Sequence, residues 1–245
     1  MLSNGNAAKI PQRINPCPIV EAIVEVRFET DMPADAVFGI VYPAFKDQYA
    51  ELEKLPILQL PEDIRLKDPS LINNPYYKMK SERFILQIGP KVISIISPKE
   101  YIGWKLFSEK IKETFSIVQK LDFIKDIKRF GMRYIDFFEF DIFNNINLQI
   151  NLDESPLKSM QTFIRTEIRC EKFTSTLQIA NQASIPFDDL MKTGSIIDID
   201  TFLENVKMSS IEEISELIEP AHYEEKKMFF NLLKPDFLKT LNPEY

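Results

Sequence analysis

The sequence predicts an α+β fold with a largely antiparallel sheet and about three major helices. Two long segments, 15–30 and 126–141, alternate apolar and polar residues with the period of two that is typical of strands packed on one side. Three other segments space their apolar residues as amphipathic helices do: 33–52, 101–121 and 209–233. Because helices do not alternate one for one with strands, the pattern argues against a parallel, doubly wound sheet.

The first strand carries much charge on its polar side. We interpret residues 1–14 as a flexible arm, and the strand follows in "NPCPIVEAIVEVRFET". One face of this strand holds apolar residues: Val20, Ala22, Val24, Val26 and Phe28. The opposite face holds Ile19 and Ile23 among four charged residues: Glu21, Glu25, Arg27 and Glu29. This composition raises the question of what the charged side contacts.

The rest of the first half is predicted as a helix, several short strands and a second helix. Pro43 is expected to kink or split the helix at 33–52, because proline lacks a backbone N–H. The segment 55–66 is bounded by prolines and suits an edge strand. Residues 76–97 are predicted as two or three short strands, with a hairpin turn at Gly89-Pro90.

The second half follows a similar order of long strand, shorter strands and helix. One side of the strand at 126–141 holds Phe130, Met132, Tyr134, Phe138 and Phe140, with Asp136 as an exception among them. The other side holds Arg129, Arg133, Ile135, Phe137 and Glu139. Further strands are predicted at 160–181 and 194–204, and Pro220 is expected to divide the final helix. We therefore predict one α+β domain at 15–245, with two related halves at 15–122 and 123–245.

The charge is acidic overall but unevenly distributed. A net charge of −7 and a pI near 5.0 disfavour non-specific nucleic-acid binding, because an acidic chain repels phosphate. Residues 99–133 nevertheless hold nine Lys or Arg against five acids. The simplest interpretation is a solvated surface. The alternative is contact with nucleic acid as part of a complex, with the candidate residues Lys105, Lys112, Lys128 and Arg129.

Cysteine usage and hydropathy predict a cytoplasmic protein without membrane contact. Cys17 and Cys170 lie in or beside apolar strand patterns, so we expect two buried free thiols in a reducing compartment. The N-terminal residues lack the apolar region of a signal peptide. No apolar run approaches the ~20 residues that a membrane helix needs.

The sequence predicts no catalytic residues, no cofactor and no metal site. His222 is the single histidine, which excludes histidine-rich metal sites and favours a surface or boundary role for that residue. The six glycines are too scattered for a phosphate-binding loop. Asp198 and Asp200 on one strand face could hold a divalent ion, although ordinary polar alternation explains them better. A nuclease-like pairing of Asp153 with Glu167 is weaker still, because Arg169 stands where a lysine is needed.

Several motifs resemble a sporadically distributed prokaryotic family of about this length and of unassigned function. The matching N-terminal residues are Asn15, Pro16, Pro18, Ile19, Val20, Glu21, Ala22, Arg27 and Phe28. The segment "GMRYID" at Gly131–Asp136 is similar to the family's Gly-Leu-Arg-Tyr-Ile-Asn motif, from which Met132 and Asp136 depart conservatively. The resemblance implies no catalytic residues. The patchy distribution resembles that of mobile defence or toxin–antitoxin genes, which is an association and not a mechanism.

These observations favour a non-enzymatic interaction protein, an accessory or regulatory subunit of a prokaryotic defence or toxin–antitoxin type complex. Its partner would be another protein subunit encoded nearby. The predicted contacts lie on the charged sides of the long strands: Arg27, Arg133, Arg165, Arg169 and Phe137. Two other functions stay open, a nucleic-acid-binding subunit beside a nuclease and a metal-dependent hydrolase. A ladder of exposed ion pairs without any partner would explain the same residues.

Overall fold

Strands account for most of the regular structure. The computed structural model describes residues 9–153, 155–156, 161–187, 190–208 and 211–245. The strands are β1 (Ile19–Glu29), β2 (Glu51–Lys54), β3 (Tyr77–Lys80), β4 (Ile85–Ile88), β5 (Val92–Pro98), β6 (Asp126–Phe138), β7 (Asn151–Leu152), β8 (Ser155–Pro156), β9 (Phe163–Cys170), β10 (Phe173–Phe187) and β11 (Leu190–Met208). The helices are α1 (Ala34–Phe45), α2 (Glu62–Lys67), α3 (Trp104–Lys120), α4 (Ile211–Leu232) and α5 (Pro235–Thr240), and two 3₁₀ turns cover Pro56–Gln59 and Ile142–Asn145.

Nine of these strands form one sheet in which every neighbouring pair is antiparallel. The strand order is β2-β3-β4-β5-β1-β6-β11-β10-β9, and β7 and β8 form a separate two-stranded sheet. The two long strands β1 and β6 adjoin at the centre, and β5 and β11 return beside them. An α+β fold with a largely antiparallel sheet is therefore confirmed. The two halves share this returning topology, and their relationship stays a prediction.

The three major helices all pack on one face of the sheet. Val37 of α1, Phe107 of α3 and Ile214 of α4 are buried in one cluster with Val24 of β1 and Met132 of β6. Period-two alternation puts every second residue of the long strands on this side, where each buried Val, Ile or Phe contributes about 1.5–3 kcal/mol. A second cluster continues the core beneath the end of α4. The prediction of about three major helices is confirmed.

The segment 55–66 is helical, so the prediction of an edge strand there is wrong. Pro56–Gln59 forms a 3₁₀ turn and Glu62–Lys67 forms α2. Acidic residues at the start of α2 and basic residues at its end complement the helix dipole. The sheet edge at this end is instead Glu51–Lys54, which is exposed and charged.

Two proline predictions have different outcomes. Pro43 lies inside α1, which ends two residues later at Phe45. Pro220 lies inside α4, which continues to Leu232, so the prediction that this proline divides the helix is wrong. Pro220 is exposed, while Ile218 and Ala221 beside it are fully buried, and their packing holds both halves of α4 on the sheet. The predicted helix start at Ser209 lies outside the described residues.

The N-terminal arm packs against the end of the chain from at least Gln12 onward. The backbone N–H of Gln12 donates to the carbonyl of Glu244, and that of Asn15 donates to Leu241. Ile14 is buried in the second core cluster. Residues 1–8 of the predicted arm lie outside the described residues. Among the described helices, none combines the length and the apolar composition that crossing a membrane requires.

The cysteines differ from the prediction in burial but not in oxidation state. Both Cys17 and Cys170 are free thiols. Cys17 is exposed and Cys170 is half-buried, so the prediction of buried thiols is wrong. Cys17 precedes β1 and Cys170 ends the exposed strand β9, so neither lies in the core.

Candidate functional site

The strand register places the charged side chains of five strands on one face, opposite the helices. Directly opposed residues include Arg27 and Arg129, Arg133 and Asp200, Thr176 and Glu167, Gln178 and Arg165, and Thr174 and Arg169. The shared face predicted for Glu25, Arg27, Arg133, Arg165 and Arg169 is confirmed by this register. We call the residues of this side of β1, β6, β9, β10 and β11 the charged face.

Arg129 is the centre of the charged face. Its guanidinium contacts three carboxylates: Asp200 at 2.6 Å, Glu204 at 3.1 Å and Glu25 at 3.2 Å. Only 8% of the side chain is exposed. Gly131 makes this position possible, because a Cβ on that residue would lie 2.2 Å from Nη1 of Arg129. Arg129 is thus fully engaged within the chain.

Arg133 forms a second, bidentate ion pair. Its Nε and Nη2 donate to the two carboxylate oxygens of Asp198 at 2.7 and 2.6 Å, and Gln178 donates to the same carboxylate at 3.0 Å. The Asp198 side chain is 8% exposed. Hydrogen bonds to Asp198 raise the pKa of Arg133, so the guanidinium keeps its charge in this pair.

The aspartates of β11 therefore bind guanidinium groups. Asp198 pairs with Arg133, and Asp200 pairs with Arg129. Burial raises the pKa of Asp200 despite both arginines, and burial likewise raises the pKa of Glu21. Within the described ranges, no three His, Cys, Asp or Glu residues are grouped so that they could hold a metal ion.

A cavity of about 510 Å³ opens on the charged face between β1 and β9. We call it the arginine groove. Its charged lining consists of Arg27, Arg129, Arg165, Arg169 and Lys172 with Glu167, Asp200 and Glu204. The uncharged lining is Thr174, Thr176, Phe202 and Leu203. The volume is in the range of small-ligand and peptide side-chain sites, and the lining is strongly polar.

The cations of the arginine groove differ in how far they are neutralised. Arg129 is surrounded by carboxylates, and Arg27 donates to Glu25 at 2.7 Å. Arg165 approaches Glu167 only at 3.4 Å, and both side chains are 55% exposed. Among the described residues, Arg169 and Lys172 form no ion pair, and both are exposed. The unsatisfied positive charge of the groove therefore lies on the side of β9.

The charged face is open mainly on the side of β9. A smaller cavity of about 290 Å³ lies beside Arg27 and Lys91 and is bordered by Ile72 and Asn73, which follow α2. On β5, Val92 and Ile96 lie on the same side of the sheet as the charged face, but both are buried. A partner would therefore reach the β6–β9 part of the face first.

The predicted contact residues separate into exposed and enclosed groups. Arg165 and Arg169 line the arginine groove with exposed side chains, and Arg27 borders it. Arg133 is held by Asp198. Phe137 is only 7% exposed, so it offers almost no surface to a partner. The sequence pattern gave the correct face for Phe137 but could not show that its neighbours cover it.

The four nucleic-acid candidates do not form one patch. Lys105 and Lys112 lie on α3, on the helix side of the sheet, whereas Arg129 lies on the charged face. Lys112 pairs with Glu219 and Lys128 pairs with Asp126. The cluster at 99–133 is therefore continuous in sequence and divided in space.

Several residues of the face were missed from the sequence. Lys172 lies in the two-residue turn between β9 and β10, and Phe202 lies under the guanidinium of Arg129 at 4.7 Å from its ring centre. Phe202 and Glu204 could have been assigned to this face from the sequence, because they continue the alternation of Asp198 and Asp200 along the same strand. Lys172 had no such signal, because a turn residue has no fixed face.

A polar cluster on the helix side surrounds the single histidine. The ring of His222 stacks on Trp104 at 3.7 Å, and its Nδ1 lies 3.2 Å from the hydroxyl of Tyr134, which contacts the Tyr101 hydroxyl at 3.3 Å. Burial lowers the pKa of His222 to about 3, so its ring is neutral at neutral pH. His222 is half-buried, as expected for a boundary role. Both cavities described above lie away from this cluster.

Comparison with known proteins adds no family. No family model matches the chain, and no curated protein is significantly similar to it. The resemblance to a sporadically distributed family therefore stays a prediction.

Proposed function

We propose that this chain is a non-enzymatic interaction protein that binds an acidic segment of a partner protein in the arginine groove. In this proposal it is the accessory or regulatory subunit of a prokaryotic complex of the defence or toxin–antitoxin type. One observation carries the proposal. Arg169 and Lys172 stand exposed and without an acidic partner among the described residues, on a chain whose net charge is −7.

The groove is suited to carboxylates. Guanidinium groups present planar pairs of donors that match a carboxylate, and Arg165 and Arg169 lie four residues apart on the same strand face, on either side of Glu167. The enclosed ion pairs of Arg129 with Asp200 and Glu204 hold one wall of the groove in place. A partner therefore meets exposed arginines beside an enclosed ionic layer.

A protein partner fits this surface better than nucleic acid. Glu167, Asp200 and Glu204 also line the groove and interrupt its positive charge, so the groove offers separate cation sites that fit side-chain carboxylates and not the continuous basic track that a phosphate backbone follows. Phe163 shares the face with Arg165 and is 65% exposed, which suits a mixed apolar and charged contact. Nucleic-acid binding within a larger complex is the second candidate, supported by the exposed lysines of α3.

The test compares two double variants with the same change in charge. Arg169→Glu with Lys172→Glu reverses the groove, and Lys105→Glu with Lys112→Glu reverses the exposed lysines of α3. The probes are a labelled acidic peptide and a labelled single-stranded oligonucleotide of equal charge, measured by fluorescence anisotropy. We expect the peptide to bind the wild type and the α3 variant alike and the groove variant about tenfold more weakly.

The oligonucleotide separates the two candidates. If it binds more tightly than the peptide, and if the α3 variant loses that binding, the nucleic-acid candidate replaces the proposal. Binding through phosphates would also weaken steeply with rising salt. Equal peptide binding by both double variants would contradict a role for the groove.

A further inference from the structure

The outer edge of β9 ends the sheet. In the described part of the chain no strand pairs with this edge. Three side chains on the charged face of β9, those of Phe163, Arg165 and Glu167, are more than half exposed. An unpaired strand edge is a template for another strand unless its side chains prevent pairing.

The backbone groups of β9 alternate between β10 and the free edge. Cys170 and Phe173 flank a two-residue turn, so in the usual hairpin geometry they form a hydrogen-bonded pair. The N–H of Asn181 donates to the carbonyl of Thr162, which agrees with even-numbered residues facing β10. The N–H and C=O groups of Arg165, Glu167 and Arg169 therefore point outward.

We infer that two copies of this chain pair antiparallel through β9, with Arg165 of each copy opposite Glu167 of the other. This inference goes beyond the proposed function, because it concerns a different contact. The charge pattern and the length of the strand together favour this register. When Thr166 of one copy lies opposite Thr166 of the other, Arg165 of each copy lies opposite Glu167 of the other copy, so both pairs join opposite charges.

The neighbouring registers are disfavoured by the same side chains. A shift that puts Glu167 opposite Glu167 also puts Arg165 opposite Arg169. The opposite shift puts Arg165 opposite Arg165. Each of these arrangements brings like charges together, which destabilises a strand pair. One other register joins opposite charges, the one with Ile168 opposite Ile168, which brings Glu167 opposite Arg169. It pairs only residues 166–170 of β9, whereas the register with Thr166 opposite Thr166 pairs residues 163–169, so the longer pairing is favoured.

The favoured register also suits the other face and the backbone. Ile164 of one copy lies opposite Ile168 of the other on the helix side, where both residues are only half-buried in the single chain. In this register each odd-numbered residue of one β9 lies opposite an odd-numbered residue of the other β9. The N–H and C=O groups that point away from β10 therefore form hydrogen-bonded pairs between the two copies. The two-fold axis is perpendicular to the sheet, so both arginine grooves open on the same side.

A charge-swap experiment tests the register. Arg165→Glu alone and Glu167→Arg alone each place like charges opposite one another in the homodimer. Mixing the two variants restores opposite charges at both pairs. Sedimentation equilibrium should show a wild-type dimer, a dissociation constant raised about tenfold or more in each single variant, and a heterodimer in the mixture.

A disulfide experiment tests the geometry independently. Residues at a non-hydrogen-bonded pair have Cα atoms about 4.5 Å apart, within the range that a disulfide spans. With Cys17 and Cys170 changed to Ser, Thr166→Cys should give a covalent dimer on mild oxidation. Ser116→Cys, on the exposed side of α3, is the matched control and should stay monomeric. A wild type that is monomeric throughout the micromolar range, or a mixture that associates no better than its components, would overturn the inference.

Discussion

Gly131 determines how the charge network on the sheet is arranged. The Arg129 guanidinium lies across this residue and reaches carboxylates on the neighbouring strands β1 and β11. Any side chain at residue 131 would occupy the position of the guanidinium. The motif that contains Gly131 is therefore explained by packing within the sheet and not by a turn.

Two glycine substitutions should have opposite effects on stability. Gly131→Ala should lower the free energy of unfolding by about 1–3 kcal/mol, because the new methyl group displaces Arg129 from its carboxylates. Gly39→Ala, in α1 with no atom within 4 Å of the added methyl, should raise it by about 0.5–1 kcal/mol. Urea denaturation of the three proteins measures both changes. Equal effects at the two positions would show that Arg129 does not depend on Gly131.

Two carboxyl groups are buried on the helix side of the sheet. Asp136 is 2% exposed and Glu225 is 4% exposed, and burial raises the pKa of both well above the ordinary values. The Asp136 carboxylate also raises the pKa of Glu225, and the Asp198 carboxylate raises the pKa of Asp136, in both cases through like charge. Both groups are therefore protonated in the folded chain at pH values where they are ionised in the unfolded chain.

Stability should fall as the pH rises above these unfolded pKa values. Unfolded Asp and Glu ionise near pH 4, and the folded chain must either keep the proton or bury a charge. Asp136→Asn and Glu225→Gln should therefore gain stability over the wild type as the pH rises from about 4 to 8. His222 has the opposite effect, because its lowered pKa reduces the stability of the fold as the pH falls below about 6.5. This effect is the same in the wild type and in both variants, so it cancels in the comparison.

The exposed Glu62 provides the control for this measurement. Glu62→Gln in α2 should leave the pH dependence of urea denaturation unchanged. If Asp136→Asn and Glu225→Gln also follow the wild-type curve at every pH, the two carboxyl groups are not buried as described.

At the scale of helices and strands, the alternation of apolar and polar residues predicted on which face of the sheet each side chain lies. It did not predict which strands lie next to one another. The period of two assigned Arg133 and Arg165 to the charged side because a one-residue slip would expose every core residue. It could not show that β11 lies between β6 and β10, since strand order depends on contacts that are distant in sequence. The ion pair of Arg133 with Asp198 was therefore not predictable, whereas the shared face was. Segment 55–66 was missed for a local reason, because prolines fit helix starts as well as strand edges.

Two arginines of the charged face should differ in their contribution to stability. Arg133→Glu should destabilise the fold by about 3 kcal/mol, because it leaves the nearly buried Asp198 facing another carboxylate. Arg165→Glu should change stability by less than about 1 kcal/mol, because its pair with Glu167 is exposed. Thermal and urea denaturation at low protein concentration check both values. Similar losses for the two variants would mean that Arg133 is no more enclosed than Arg165.

At the scale of the whole molecule, the two faces of the sheet differ in composition and in what covers them. The helices cover one face of the nine-stranded sheet and form the core, and the other face carries an ionic layer that is open towards β9. An acidic chain that leaves Arg169 and Lys172 exposed beside a groove has a local charge opposite to its total. In the proposed function, this surface would attract an acidic partner and orient it during encounter. The proposed β9 pairing would place two such grooves side by side.

Recovery of the natural partner tests the proposed docking most directly. The wild type, the groove variant (Arg169→Glu with Lys172→Glu) and the charge-matched α3 variant (Lys105→Glu with Lys112→Glu) would each be used to capture proteins from the organism's own lysate, with quantitative mass spectrometry. The account predicts one protein recovered equally by the wild type and the α3 variant, and about tenfold less by the groove variant. Equal recovery of that protein by all three would contradict docking in the arginine groove.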